Sequence, residues 1–305
     1  MNIKNYRFYQ MSQRIKTKGG HLLLVGGMVR DHRMEIELGL KPSDWPFERE
    51  NDCDAVVFGL GLEETKNSFA ALGPSWIIEH RTIVNRMIKE PALVKVKVDD
   101  VELSVAIAKK NMDGSFFFYP EAQLNDDAQT RDFTVNAIYY DPLEKAFFDP
   151  LGGLDDLLAR RLKICSETCF TEDPVRILRA MVFISRFGLT PSPQLTAAAN
   201  QAWPLLVRVP SERFWPEWRK WTLSRSPHFG LNFLKESGAL NFWPDLAALC
   251  QSPQRLKYHP EGDVWNHTVL AVEVISRLEI ANPSERSFMI LTCLLHDIGK
   301  PIVTK

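Results

Sequence analysis

The chain has 305 residues, 45% of them hydrophobic and 25% charged, with a formal net charge of −1. This is the composition of an ordinary globular protein with room for two or three units. The longest apolar runs, residues 22–25 and 288–295, are far too short to span a bilayer, so membrane insertion is not expected. Residues 1–18 are basic and polar without an apolar signal core, so the expected location is cytoplasmic. The five cysteines are odd in number and form no CxxC pair, which fits reduced thiols rather than a disulfide framework or a zinc cluster. Near-neutral charge gives no support to nucleic-acid binding, although a neutral chain can gather its basic residues on one face.

In chain order, residues 22–25 form a short apolar strand closed by Gly26 and Gly27, and residues 29–38 carry helical spacing. Residues 55–58 are a second strand and residues 63–72 a second helix. Residues 92–98 and 101–108 flank Asp99-Asp100 and predict a hairpin. Val101, Leu103, Val105 and Ile107 share its buried face, with Glu102 and Ser104 on the other. Asp113-Gly114 opens a loop running through Pro120, and residues 137–140 and 146–148 are two more strands. From Asp155 onward the periodicity is helical, broken near Pro191, Pro204, Pro210, Pro227 and Pro244. The predicted fold class is α+β, a mixed sheet with helices followed by an all-helical remainder. The domains are residues 1–150, a helical neck at 151–225 and a helical body at 226–305.

Four motifs carry chemistry. Gly26-Gly27-Met28-Val29-Arg30-Asp31 ends a strand and starts a helix, where bare backbone N–H groups can approach phosphate and Arg30 adds a fixed cation. Asn51-Asp52-Cys53-Asp54 opens a strand, and residues two apart point the same way, so Asp52 and Asp54 present two carboxylates on one side. Paired carboxylates with substrate phosphates are a common Mg²⁺ ligand set. The third motif is Thr130-Arg131-Asp132-Phe133-Thr134-Val135-Asn136-Ala137. In the fourth, Glu172-Asp173-Pro174-Val175-Arg176-Ile177-Leu178-Arg179-Ala180, Glu172 and Asp173 precede a helix begun by Pro174. Asp173 and Arg176, three apart, form either a weak surface ion pair or a polar edge for a base.

These four motifs, in this order, resemble the class II tRNA nucleotidyltransferase and bacterial poly(A) polymerase family from about residue 22 to 189. The resemblance implies a polymerase-beta-like head that adds nucleotides to the 3′ end of tRNA. By it, Gly26, Gly27, Arg30, Arg131, Asp132, Asn136 and Arg179 bind the nucleotide, and Asp52 and Asp54 hold two Mg²⁺ ions. Glu102 is the candidate third catalytic carboxylate, and Asp173 with Arg176 read the Watson–Crick edge of CTP or ATP. Poly(A) or A-only addition is the rival within the class. From other classes the alternatives are an HD phosphohydrolase and an inactive RNA-binding relative, the latter because Val182 stands where the family often has arginine.

Two C-terminal stretches, His259 to Thr268 and Leu294 to Pro301, resemble the opening of an HD phosphohydrolase domain. By that resemblance His267, His296 and Asp297 are the first three metal ligands, in a partial rather than complete HD fold. Trp203, Phe214, Trp215, Trp218, Trp221 and Trp243 read as core aromatics at helical spacing. Arg208, Arg213, Arg219, Lys220 and Arg225 among them are a candidate tRNA face. The sequence leaves the oligomeric state open.

Overall fold

The computed structural model describes residues 6–39, 53–72, 77–81, 93–98, 101–112, 115–118 and 121–303. It divides into two compact units. The first runs to Ala159 and takes in Ile164–Ser166; the second comprises Arg160–Lys163 and the chain from Glu167.

The first unit begins with α1 (Tyr6–Lys16), β1 (His21–Val25), α2 (Gly27–Leu38), β2 (Cys53–Phe58) and α3 (Leu62–Ala70). Then come β3 (Ile77–Arg81), β4 (Leu93–Val98), β5 (Val101–Ile107), β6 (Lys109–Met112) and β7 (Ser115–Phe118). It ends with α4 (Leu124–Gln129), β8 (Tyr139–Asp141), β9 (Ala146–Phe148) and α5 (Gly153–Leu158). Seven strands form one mixed sheet in the order β3-β4-β5-β2-β1-β8-β9. β2 and β5 run parallel, while β1 is antiparallel to both β2 and β8.

β1 is apolar throughout its core because it is covered on both faces. Leu22 and Leu24 join one cluster with Phe8, Met11 and Ile15 of α1, whereas Leu23 and Val25 join the opposite cluster with Ala128 and Tyr139. Each of these buried side chains contributes roughly 1.5–3 kcal/mol relative to exposure, so β1 is firmly placed. That placement fixes the turn following it.

The second unit contains β10 (Arg161–Leu162), α6 (Cys169–Glu172), α7 (Arg176–Phe187) and β11 (Thr190–Pro191). There follow α8 (Pro193–Ala202), α9 (Phe214–Thr222), α10 (Pro227–Glu236) and α11 (Pro244–Ala248). α12 (Val264–Ser276), α13 (Pro283–Leu295) and α14 (Lys300–Val303) complete it. A two-residue parallel ladder, β10 with β11, interrupts the helical character expected of this region. Ser192, Asp263 and Asn282 cap α8, α12 and α13 through their side chains, satisfying first-turn N–H groups. Arg286, 3% exposed, donates to the carbonyls of Ser276 and Ser224 and so ties the ends of α12 and α9 together.

Several expectations need correction. The predicted loop from Asp113 to Pro120 holds a strand, β7, which pairs antiparallel with β6; Asp-Gly between two strands is a tight-hairpin signal. α1, β3 and α4 were not expected from the sequence. The apolar stripe of α1, Phe8, Met11 and Ile15, is only three residues long. Pro174 does not open a helix; α6 ends at Glu172 and α7 begins at Arg176. Trp215 is 55% exposed and outside the core. Phe214, Trp218 and Trp221, at i, i+4 and i+7, share one face of α9, and Trp215 falls off it. Phe214, Trp218, Trp221, Phe242 and Trp243 do pack together, mostly edge to face, at centroid distances of 5.0–6.3 Å. The predicted surface loop at residues 41–50 lies outside the described residues.

Candidate functional site

The turn after β1 is built around one backbone conformation. Gly26 has φ 81° and ψ −144°, a combination that side chains exclude, and it caps α2 without any side-chain hydrogen bond. The first-turn N–H groups of α2 therefore lack an intrahelical partner and face the turn. Antiparallel pairing of Val25 with Asp54 brings the Asp54 carboxylate alongside. A Cβ added to Gly26 would lie 3.1 Å from Asp54 Oδ2, so the missing side chain leaves a cradle beside an acid.

β5 extends that edge. Asp54 pairs with Ser104 in the parallel register, and Glu102, two residues before Ser104, shares its face. Glu102 is exposed and pairs with Lys95 Nζ at 3.4 Å. Leu103, Val105 and Ile107 are buried on the other face, as the alternation predicted. Asp52 lies outside the described residues.

Arg30, on the first turn of α2, is 5% exposed. Its Nε and Nη2 donate to Asp31 Oδ1 at 2.8 and 2.6 Å, and Nη1 donates to Asn136 Oδ1 at 2.7 Å. Asn136 in turn donates to Asp132 Oδ1, which also accepts the Phe133 N–H. The glycine motif and the third motif, a hundred residues apart, thus meet in one buried chain of hydrogen bonds. α5 supports this from behind. A Cβ on Gly153 would sit 2.0 Å from the Thr134 carbonyl, so only glycine lets α5 approach the 3₁₀ turn Thr134–Asn136 so closely.

Arg131 belongs to a different group. Its Nε and Nη2 reach Asp127 Oδ2 at 3.2 and 3.0 Å, its Nε reaches the Tyr139 hydroxyl at 3.0 Å, and its guanidinium lies over the Tyr139 ring. Burial disfavours its charge, but Tyr139 and Asp127 outweigh that, and the net shift in its pKa is upward. A cavity of about 500 Å³ lined by His21, Leu23, Phe58 and Phe148 opens at the far end of β1 from Gly26. None of the motif residues lines it.

In the second unit, Asp173 and Arg176 are not an ion pair. Asp173 Oδ2 accepts from Arg213 Nη2 at 2.8 Å, while Asp173 Oδ1 is buried with no hydrogen-bond partner among the described residues. Arg176 lies 3.5 Å from Glu172 Oε2 and its Nη1 reaches the Cys169 carbonyl. Arg213 is the residue that the motif reading missed here; it comes from forty positions later, and only its place in a basic stretch hinted at a role. Arg179 sits half-buried on α7, and Val182 is buried in the core of that helix.

The C-terminal histidines converge because α12 and α13, thirteen residues each, pack side by side as a helical hairpin. His267 lies on the first turn of α12, and His296 and Asp297 directly follow α13. Ligand atoms of His267, His296 and Asp297 all lie within 4.8 Å of one another, as do those of His259, Glu261 and His267. Hydrogen bonds from its own backbone and then from His259 and His267 hold the Glu261 carboxyl down at about 2. Among the described residues, no helix is long and apolar enough to cross a membrane.

Residues 22–163 match the family described as the poly A polymerase head domain. A multifunctional CCA protein from Vibrio vulnificus strain YJ016 is 30% identical over 92% of this chain. The chain spans 63% of the length of that relative. A multifunctional CCA protein from Xanthomonas campestris pv. campestris strain B100 is 37% identical over 60% of the chain and 45% of its own length. Among solved structures, the Bacillus stearothermophilus CCA-adding enzyme in complex with CTP has a TM-score of 0.63 at 22% identity, covering 100% of this chain and 73% of its own. The Thermotoga maritima CCA-adding enzyme complexed with tRNA has a TM-score of 0.65 at 16% identity, covering 98% and 66%. These likenesses support the fold, a nucleotidyltransferase head followed by helices.

Proposed function

The chain belongs to the class II tRNA nucleotidyltransferase and bacterial poly(A) polymerase family through its head at residues 22–163, and on that premise we propose that it transfers CMP and AMP from CTP and ATP to the 3′ end of tRNA. The observation that carries this reading is the turn of Gly26 against the Asp54 carboxylate, 3.1 Å from where a side chain would begin. An acid, an open cradle and bare helix N–H groups meet there, which suits a triphosphate held with divalent ions. The relatives bearing the CCA name and the neighbours solved with CTP and with tRNA favour this activity over poly(A) addition.

The oxygen donors fit Mg²⁺, with Asp54 and Asp52 as its ligands and Glu102 as the third carboxylate. Two such ions would supply charge stabilisation to an in-line displacement at the α-phosphate. The chain's own residues position the reactants. The α2 N–H groups at Gly27 receive phosphate oxygens, and Arg30, buttressed by Asp31, Asn136 and Asp132, sets the charge and shape of the turn. Attack by the tRNA 3′-hydroxyl forms the new phosphodiester as the bond to pyrophosphate breaks, so positioning and electrostatics do most of the catalysis. Asp173, with a buried oxygen that has no hydrogen-bond partner among the described residues, accepts from the exocyclic amine of cytosine or adenine, while Arg176 donates to the same edge. Arg179 pairs with phosphate. Arg131, locked on Asp127 and Tyr139, contributes by shaping the bend that carries Asp132. The exposed Arg208, Arg219 and Arg225 offer salt-sensitive phosphate contacts to tRNA.

Incorporation of labelled CTP, ATP, GTP and UTP onto tRNA ending at the discriminator base, at C and at CC tests the proposal. Ordered C, C and A addition is expected with Mg²⁺ and none with chelator. A long A tail, or A on the CC end alone, selects the rival activity, and no incorporation overturns the enzymatic reading. In Arg176→Ala the CTP-to-ATP preference is expected to blur by tenfold or more, about 1.4 kcal/mol, the scale of one charged hydrogen bond. An unchanged preference removes Arg176 from base recognition.

A second reading is favoured by the convergence of His267, His296 and Asp297 within 4.8 Å. Two imidazoles and a carboxylate fit a borderline divalent ion such as Zn²⁺, so we infer a metal-holding cluster in the body, with no hydrolase activity assigned to it. Stoichiometric Zn²⁺ binding by the full chain, lost in His296→Ala, is the expected result; Zn²⁺ bound equally by both removes this reading.

A further inference from the structure

We propose that Glu261 is a positioning residue that locks His267 in one ring tautomer, Nδ1 protonated and Nε2 bare, so that the lone pair is presented with His296 and Asp297. The inference rests on the metal-holding reading of that cluster and assigns a task to two residues outside its donor set, Glu261 and His259.

Glu261 Oε1 receives two imidazole nitrogens, His267 Nδ1 at 2.6 Å and His259 Nδ1 at 3.0 Å. Both distances are those of hydrogen bonds. A carboxylate oxygen accepts, so in the neutral rings each Nδ1 carries the proton and each Nε2 keeps its lone pair. His296 reaches the same state by another route. Its Nδ1 lies 2.7 Å from the Cys293 carbonyl, also acceptor-only, and its Nε2 lies 3.2 Å from Asp297 Oδ2. In both histidines of the donor set Nδ1 is thus fastened to an oxygen, as second-sphere partners do in metal sites, and Nε2 is the nitrogen left to face a cation.

The surroundings keep Glu261 in place. The Asn266 side chain donates to the Glu261 carbonyl at 3.1 Å, and Asp263 caps α12 through the Asn266 N–H. His259, its ring 5.1 Å from that of His267 and nearly perpendicular to it, occupies the other side of the carboxylate. His259 thereby anchors the acid as the acid anchors His267. Lys300 Nζ lies 2.6 Å from Asp297 Oδ2 and 3.0 Å from Gln254 Oε1, so it neutralises the third donor of the cluster.

The test uses the full chain, long-range ¹H–¹⁵N spectra of the histidine rings without metal, and calorimetric titration with Zn²⁺. The wild type is expected to show His267 as the Nδ1–H tautomer. In Glu261→Ala that tautomer is expected to mix with the other, and Zn²⁺ affinity to fall about 10- to 100-fold, the usual cost of losing such a partner. Glu261→Gln, whose amide oxygen still accepts, is expected to restore most of both; its rescue separates positioning from loss of fold. An unchanged tautomer and affinity in Glu261→Ala overturns the proposal. So does a His259→Ala variant that loses Zn²⁺ as completely as His296→Ala, since the ion would then sit among His259, Glu261 and His267. A wild type that takes up no Zn²⁺ overturns the metal reading on which the proposal rests, while the ring spectra still decide whether Glu261 sets the tautomer.

Discussion

Asp54→Ala is expected to lower nucleotide incorporation at least 10³-fold while leaving the melting temperature within a few degrees of wild type. The two halves of this result have separate physical causes. A charge-stabilising group aimed at developing charge contributes on the order of 3–4 kcal/mol to a transition state, a factor of 10² to 10³, and a carboxylate that also holds the cation carries more. The fold loses little, because Asp54 sits near the N-terminal end of β2 and is only partly buried, while its neighbours Cys53 and Ala55 face the core. The comparison is between purified variants at saturating CTP and Mg²⁺, with thermal unfolding followed in parallel. Incorporation within tenfold of wild type would remove Asp54 from catalysis. A collapse of both activity and melting temperature would make it a structural acid. Asp54→Asn sharpens the distinction, since it keeps the shape and removes the charge that a cation needs. Gly26→Ala should behave differently again, impairing both properties, because its positive φ is strained for any side chain and its Cβ would press on Asp54.

How much of this was legible in the sequence depended on whether the signal was local. β1, α2, β2 and the β4–β5 hairpin were readable because each carries its own periodicity, and the register of β4 with β5 begins at Val98 and Val101, as the Asp99-Asp100 turn required. Gly26 and Asp54 were each visible as motif residues, but their meeting depends on the antiparallel pairing of β1 with β2, which no local pattern records. The hydrogen-bond chain from Arg30 through Asn136 to Asp132 was hidden for the same reason. Ion pairing was the least legible. Spacing suggested Asp173 with Arg176, whereas the folded chain gives Asp173 to Arg213 and Arg176 to Glu172. Any carboxylate with several arginines in reach has this ambiguity, because surface pairs differ by less than about 1 kcal/mol and tertiary packing decides among them. Arg131 was legible as a motif residue, but its partners within the fold were not. Its motif position suggested a ligand contact, and its burial beside Asp127 and Tyr139 became visible only with the sheet assembled.

That buried trio leads to the largest expected effect on stability. Asp127 is 2% exposed and works with both oxygens. Oδ1 accepts the Lys109 N–H at 3.1 Å, and Oδ2 accepts from Arg131 and from the Tyr139 hydroxyl at 2.8 Å. It therefore joins α4, β6 and β8 at one point. Burial pushes the Tyr139 hydroxyl up, so that the phenol stays protonated and donates. Asp127→Ala leaves a guanidinium, a phenol and a backbone N–H without their shared acceptor. The guanidinium dominates: its side chain is 20% exposed, and breaking a buried pair from one side costs about 3–5 kcal/mol, an upper bound for a pair that water partly reaches. For a unit of this size that corresponds to roughly 6–20 °C in melting temperature, and differential scanning calorimetry would resolve the head from the body. Removing the whole group should cost much less. The double variant Asp127→Leu with Arg131→Met buries no stranded charge, and apolar replacement of a buried pair is often neutral, so it is expected to recover more than half of the loss. If the double variant is as unstable as Asp127→Ala, the shared acceptor rather than the stranded cation holds the head together. If Asp127→Ala melts within about 2 °C of wild type, the trio is not structural, and Arg131 returns to the set of residues free to meet a nucleotide.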